Sequence, residues 1–379
     1  MRIAAMLGLM LALLPAGGVT SAAAQCATPA GVFRDGVGWA QRISDPARIW
    51  PLTDGSGQLV AVLGTGVDQA NAQFGPGQVV SGSDAADCDG RGTFAAGIVA
   101  ARPNPATTFA GMAPGARILG LRYTQSTGSG AGAEGADPDA LAGRIDRAVG
   151  AGASVVLVVA PATRSSPALA AAVRNALARK VVIVSPAVGD RPEAHSYPTA
   201  LPGVIGVGAH DQAGTAVQAE TGTLIAAPGS DLVSTSAGAK GELGHRWGVQ
   251  GPAFAAAYVA GAVALVRAYR PGLDPARVSE RLVRTANRSP AGGRDPRLGW
   301  GTLDVQAAVT AELPGRSEPP PATSRPASGT VAPAAAPADP PSRDRLPGLV
   351  AALAVGLAAL SVLLVSVIRR GRARGWHQG

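Results

Sequence analysis

The chain has 379 residues, of which 46% are hydrophobic, 15% charged and 4% aromatic, and its formal net charge is +8. That length suits one large domain or two ordinary ones, and the apolar share can fill a core. Lysines and arginines do not run together with aromatics, and part of the positive excess sits at the two ends, so the charge does not point to nucleic acid.

The chain opens MRIAAMLGLMLALLPAGGVTSAAA, a basic residue, an apolar stretch too short for a comfortable membrane span, and a small-residue end of A-x-A type. A secretory signal over 1–24, cleaved after Ala24, is expected. Residues 25–44 form an N-terminal extension carrying Cys26, one of two cysteines; the other is Cys88. An even count in an exported chain favours a disulfide, closing a loop of about 60 residues worth about 4 kcal/mol in the chain-entropy picture. A lipid anchor at Cys26 is the alternative, and Gln25 before it is the wrong residue type.

A first strand is expected at 58–63 (QLVAVL), followed by a helix at 93–102 and a strand at 117–122 (RILGLR). Then come a helix at 137–150, a strand at 153–160 (ASVVLVVA) and a helix at 167–179. Two more strands follow at 180–185 (KVVIVS) and 203–208 (GVIGVG), then helices at 253–269 and 274–285. The strands are apolar throughout, as strands covered on both faces should be. Pro275 after Asp274 is a favourable helix start. The β-α alternation implies an α/β fold, a mostly parallel central sheet with helices on both faces, whose sites lie at the carboxyl ends of strands.

Residues 312–345 (ELPGRSEPPPATSRPASGTVAPAAAPADPPSRDR) cannot bury a core and read as an extended Pro/Ala/Ser tether. A transmembrane helix is expected at 346–368, where the uncharged run 349–368 is long enough to cross about 30 Å of hydrocarbon. Arg369, Arg370, Arg372 and Arg374 follow in the tail 369–379. Positive charge beside a span marks the cytoplasmic side. The expected protein is therefore single-pass, with its main domain outside the cytoplasm.

Seven segments of the domain at 45–311 resemble the subtilisin-like serine proteases, in order. They are GQLVAVLGTGVD (57–68), CDGRGTFAAGIVAA (88–101), GMAPGARILGLR (111–122), YPTALPGVIGVGA (197–209), IAAPGSDLVST (225–235), GPAFAAAYVAGAVALVRA (251–268) and LGWGTLDVQAA (298–308). The signal, the cysteine near the mature N-terminus, the C-D-G before the helix, the tether and the C-terminal span resemble the mycosins, the membrane-anchored subtilases of type VII secretion systems. The two cysteines fall where that family ties its N-terminal extension to the domain.

The resemblance implies an acid, a base, a nucleophile and an oxyanion donor at four positions. Here the acid's D-T-G has Gly64, the base's H-G-T has Arg91, and the nucleophile's G-T-S has Ala253. The oxyanion donor's place, in PAVGD, falls on Asp190. A glycine orients nothing, a guanidinium accepts no proton, and a methyl cannot attack a carbonyl. A carboxylate at Asp190 would oppose the negative charge of the transition state. Of the remaining histidines before the tail, His195 with Ser196 and His210 with Asp211 read as surface polar pairs, and Asp68 lies beyond the turn that follows Gly64. Pro161, where the family's substrate strand ends, removes a backbone donor from an added peptide. The expectation is a catalytically dead scaffold component bound to a type VII secretion membrane complex, without cofactor or metal. An active endopeptidase with an atypical site is the alternative.

Overall fold

The computed structural model describes residues 26–81, 86–125, 136–189, 195–217, 222–288 and 292–313. The signal, most of the tether, the expected membrane helix with its basic tail, and Asp190 lie outside the described residues. The described part belongs to one compact unit.

Seven strands make a parallel sheet: β1 (Leu59–Gly64), β2 (Val79–Val80), β3 (Arg117–Arg122), β4 (Val155–Val158), β5 (Val182–Pro186), β6 (Ile205–His210) and β7 (Ile225–Pro228). Their order is β2-β3-β1-β4-β5-β6-β7, and every pairing is parallel. A separate antiparallel ribbon joins β8 (Leu232–Thr235) to β9 (His245–Val249).

The helices are α1 (Trp39–Ser44), α2 (Arg91–Ala100), α3 (Pro138–Gly150), α4 (Pro167–Ala178), α5 (Pro252–Tyr269), α6 (Pro275–Thr285) and α7 (Val305–Thr310). Alternate residues of the strands feed two cores, as the period of two requires. Val60 and Val62 face the core that contains α2 and α5, while Ala61 and Leu63 face the core of α3 and α4. α5 is the one described helix long and apolar enough to cross a membrane, but it is a buried core helix.

The expected elements are present with shifted ends. α3, α4 and α6 begin at a proline after Asp137, Ser166 and Asp274, whose side chains accept from amides of the first turn. α2 starts two residues before its expected position. β4 is cut to four residues. The chain moves from β1 to β3 on one side and then to β4 on the other, so β1 lies at the switch point where sites of such sheets form.

Candidate functional site

Gly64 is the last residue of β1, at the carboxyl end of the sheet. Its carbonyl accepts from the Tyr123 amide at 3.0 Å, and the Val159 amide donates to the neighbouring Leu63 carbonyl at 2.8 Å. A Cβ on Gly64 would stand 3.1 Å from the Cβ of Val159. The space a side chain would leave through is therefore already narrowed by Val159, just past β4.

Arg91 opens α2. The Gly92 amide donates to Thr65 Oγ1 at 3.1 Å, which fixes the start of the helix against the turn after β1. Arg91 is half-buried, and its Nε lies 3.7 Å from Asp89 Oδ1. Gly90 before it has φ +81°, and a Cβ there would come within 2.5 Å of the Ala27 Cβ. Glycine is the residue that tolerates both.

Ala253 is the second residue of α5 and is buried. The Gly251 amide donates to the Gly229 carbonyl at 2.9 Å, just past β7, so α5 also begins at the carboxyl end of the sheet. The Phe94 and Phe254 rings, 4.7 Å apart at their centroids, pack α2 onto α5. The end of β1 and the starts of α2 and α5 thus bring Gly64, Arg91 and Ala253 to the carboxyl end of the sheet. Their side chains are a hydrogen, a guanidinium and a methyl, and none can take a proton or attack a carbonyl.

Sequence reasoning missed Asp87, which is buried beneath the start of α2. Its Oδ2 accepts from the Thr93 amide at 2.7 Å and the Thr93 hydroxyl at 2.6 Å, and its Oδ1 from the Gly90 amide at 2.9 Å. Burial pushes its carboxyl above the ordinary value, against the downward pull of Thr93, Thr65 and Gly90. Asp87 supplies acceptors for orphan amides that the N-cap, Gly90, cannot satisfy with a side chain. This is why α2 starts early. The one sequence signal was an acid just ahead of an unannounced helix start.

Of the other titratable candidates, Asp68 is tied to this place by its amide, which donates to Thr93 Oγ1 at 2.9 Å. His195 is exposed beside Tyr197. Ser196, expected at the surface, is buried and donates to the Pro186 carbonyl at 2.7 Å. His210, expected at the surface too, is buried at the end of β6; Trp39 packs on its ring and Nδ1 lies 2.8 Å from the Asp211 carbonyl. Burial lowers its pKa. Asp68 builds a turn, accepting from the Ala70 and Gly238 amides at 2.9 and 2.8 Å. Pro161 is half-buried before Ala162, whose amide and carbonyl both bond Tyr197 at 2.9 Å. Among the described residues no three His, Cys, Asp or Glu side chains gather as a metal site. Cys26 and Cys88 form a disulfide with Cα atoms 4.3 Å apart.

A sequence model of the subtilase family matches residues 55–301. Mycosin-3 of Mycobacterium tuberculosis is 33% identical over 394 aligned positions, covering 85% of this chain and 82% of its own length. The crystal structure of MycP1 from the ESX-1 type VII secretion system superposes with a TM-score of 0.66 at 29% identity, over 79% of this chain and 92% of that one. A chain of an intact ESX-5 inner membrane complex superposes with a TM-score of 0.63 at 28% identity, over 93% and 94% respectively.

Proposed function

The chain belongs to the subtilase family, and from that premise we propose that it is a mycosin-like pseudoprotease, held on the outer face of the cell membrane as a structural component of a type VII secretion complex. One observation carries the loss of catalysis. The three chain positions that the subtilase motifs assign to acid, base and nucleophile hold Gly64, Arg91 and Ala253, at the end of β1 and the starts of α2 and α5. Without nucleophile and base the covalent route is gone, and binding with oxyanion donors alone leaves at most about 10³–10⁴-fold over water. Asp190 at the oxyanion position removes part of that as well. Arg91 stands where the histidine would be because nothing there needs a base.

The assignment to secretion rests on the relatives. MycP1 is described as part of a type VII system, and a similar chain sits in an inner membrane complex. The signal at 1–24, the tether at 312–345 and the apolar run at 349–368 would hold the domain beside such a complex.

Two measurements test the two halves. Full-length protein in detergent is expected to turn over no peptide and to take no label from a serine-directed fluorophosphonate. A labelled serine whose replacement abolishes cleavage would establish the active-endopeptidase reading instead. Affinity capture from detergent-solubilised membranes is expected to recover type VII membrane components, and their absence from the capture would remove the scaffold assignment.

A further inference from the structure

Three of the hydrogen bonds that fasten the N-terminal extension to the domain meet at one histidine. The Ala30 amide donates to the His245 carbonyl at 2.8 Å, and the His245 amide donates to the Gly31 carbonyl at 2.7 Å. Two residues on, the Phe33 amide donates to His245 Nδ1 at 3.1 Å. The other ring nitrogen, Nε2, is 2.6 Å from Gln73 Oε1. Gln73 Nε2 donates to the Arg102 and Phe109 carbonyls at 3.0 and 2.7 Å, so the amide oxygen must face the ring. That fixes the tautomer: Nε2 carries the hydrogen and Nδ1 offers its lone pair to Phe33.

His245 is fully buried, with the Phe109 ring edge-on at 5.9 Å. A second proton would go to Nδ1, where it would confront the Phe33 N–H instead of accepting from it. The elements around the ring carry Arg34 and Asp35 on the extension, Arg102 after α2, Glu242 before β9 and Arg246 on β9. Arg34, Asp35, Arg102 and Glu242 are exposed and Arg246 is half-buried. Burial alone lowers the imidazole pKa, to about 4.

We propose that His245 is a proton-operated latch: neutral, it holds residues 30–35 against β9; protonated, it lets them lift while the Cys26–Cys88 disulfide keeps the chain attached. Lifting would take Phe33 off Trp247, whose rings lie 5.7 Å apart, and uncover an aromatic face beside the ribbon. The direction follows from the two pKa values. The closed state binds its proton only near pH 4, the open state near the ordinary 6.5, so the latch is fully closed above 6.5 and is lost progressively as pH falls toward 4. Between pH 7.5 and 4.5 the opening constant should rise on the order of 10²-fold.

Hydrogen exchange of the full-length chain in detergent, corrected for the intrinsic pH dependence of amide exchange, reads this directly. Peptides covering 30–35 are expected to lose protection by that factor while peptides covering β1 do not. An unchanged 30–35 segment, or equal loosening of β1, would overturn the latch. In His245→Asn the side-chain oxygen can replace Nδ1 as acceptor without titrating, and 30–35 should then keep its protection at pH 4.5. If that variant retains the full pH response, the latch is elsewhere. A histidine NMR titration of the wild type decides independently of any variant: His245 titrating near 6.5 in the folded chain contradicts the proposal.

Discussion

The guanidinium of Arg91 and the hydrogen of Gly64 differ in what their surroundings would allow back. Arg91 is half-buried and its helix start is held by backbone bonds through Thr65, Thr93 and Asp87, so a histidine ring can replace the guanidinium. Gly64 is not so placed. A Cβ there stands 3.1 Å from the Cβ of Val159, just past β4, closer than ordinary van der Waals contact, and a Cβ is fixed to its backbone and cannot swing away. Repair of the triad by Gly64→Asp, Arg91→His and Ala253→Ser is therefore expected to give weak peptidase activity at best. Adding Val159→Gly, which removes that Cβ, should raise it by making room for the aspartate, and adding Asp190→Asn should raise it by about 10²–10³, the worth of one oxyanion donor. Peptide turnover in the triple and both quadruple variants measures each step. If the triple variant alone reaches the rate of the Val159→Gly quadruple, the crowding at Gly64 is of no consequence.

At the level of elements, the interior strands were legible and the edges were not. RILGLR (117–122) is β3 residue for residue, because a strand covered on both faces keeps an apolar middle, here 118–121, and leaves its arginines to the two ends. β8 and β9 carry Ser234, Thr235, His245 and Arg246 in runs of four and five, too short and too mixed to show a period. α1 and α7 are six residues each, under two turns. Gly64, Arg91 and Ala253 were found through motif order. Asp87 and His245 were not, because what gives them meaning is tertiary: Gln73 lies 172 residues from His245. Arg281 shows the same limit. In sequence it is one of several arginines on a polar helix, yet in α6 it is fully buried and donates to the carbonyls of Ala308, Val309 and Ala311 at the end of α7. Arg270, also buried, reaches Glu312 Oε1 at 2.8 Å. Together they satisfy the last carbonyls of the helix from which the tether departs. Arg281→Met keeps the bulk but strands those carbonyls, and is expected to cost about 2–3 kcal/mol in urea unfolding. Arg284→Met, one turn on and exposed, with its guanidinium 3.6 Å from Glu280, should cost about 0.5 kcal/mol or less. Equal losses in the two would mean that α7 does not depend on the buried donor.

At the largest scale, the extension is fastened to the domain both by a covalent cross-link and by hydrogen bonds. The Cys26–Cys88 disulfide spans 62 positions, and the segment it begins is then fastened at several further points. The Ala27 amide donates to the Cys88 carbonyl at 2.7 Å, Thr107 and Thr108 hydroxyls donate to the carbonyls of Phe33 and Asp35 at 2.7 and 2.6 Å, and the Trp39 indole donates to the Ser230 carbonyl at 3.0 Å. With so many fastenings in the folded state, the cross-link contributes chiefly by restricting the unfolded chain. Replacing both cysteines by serine should lower stability at neutral pH by up to about 4 kcal/mol, seen as a lower denaturant midpoint. The same variant, still folded, should keep the hydrogen-exchange protection of 30–39 close to wild type and lose it only around 26–29. Protection lost along the whole of 26–39 would show that the disulfide holds the extension in place in the folded protein, and that the hydrogen bonds to His245, Thr107, Thr108 and Ser230 are too weak to do so without it.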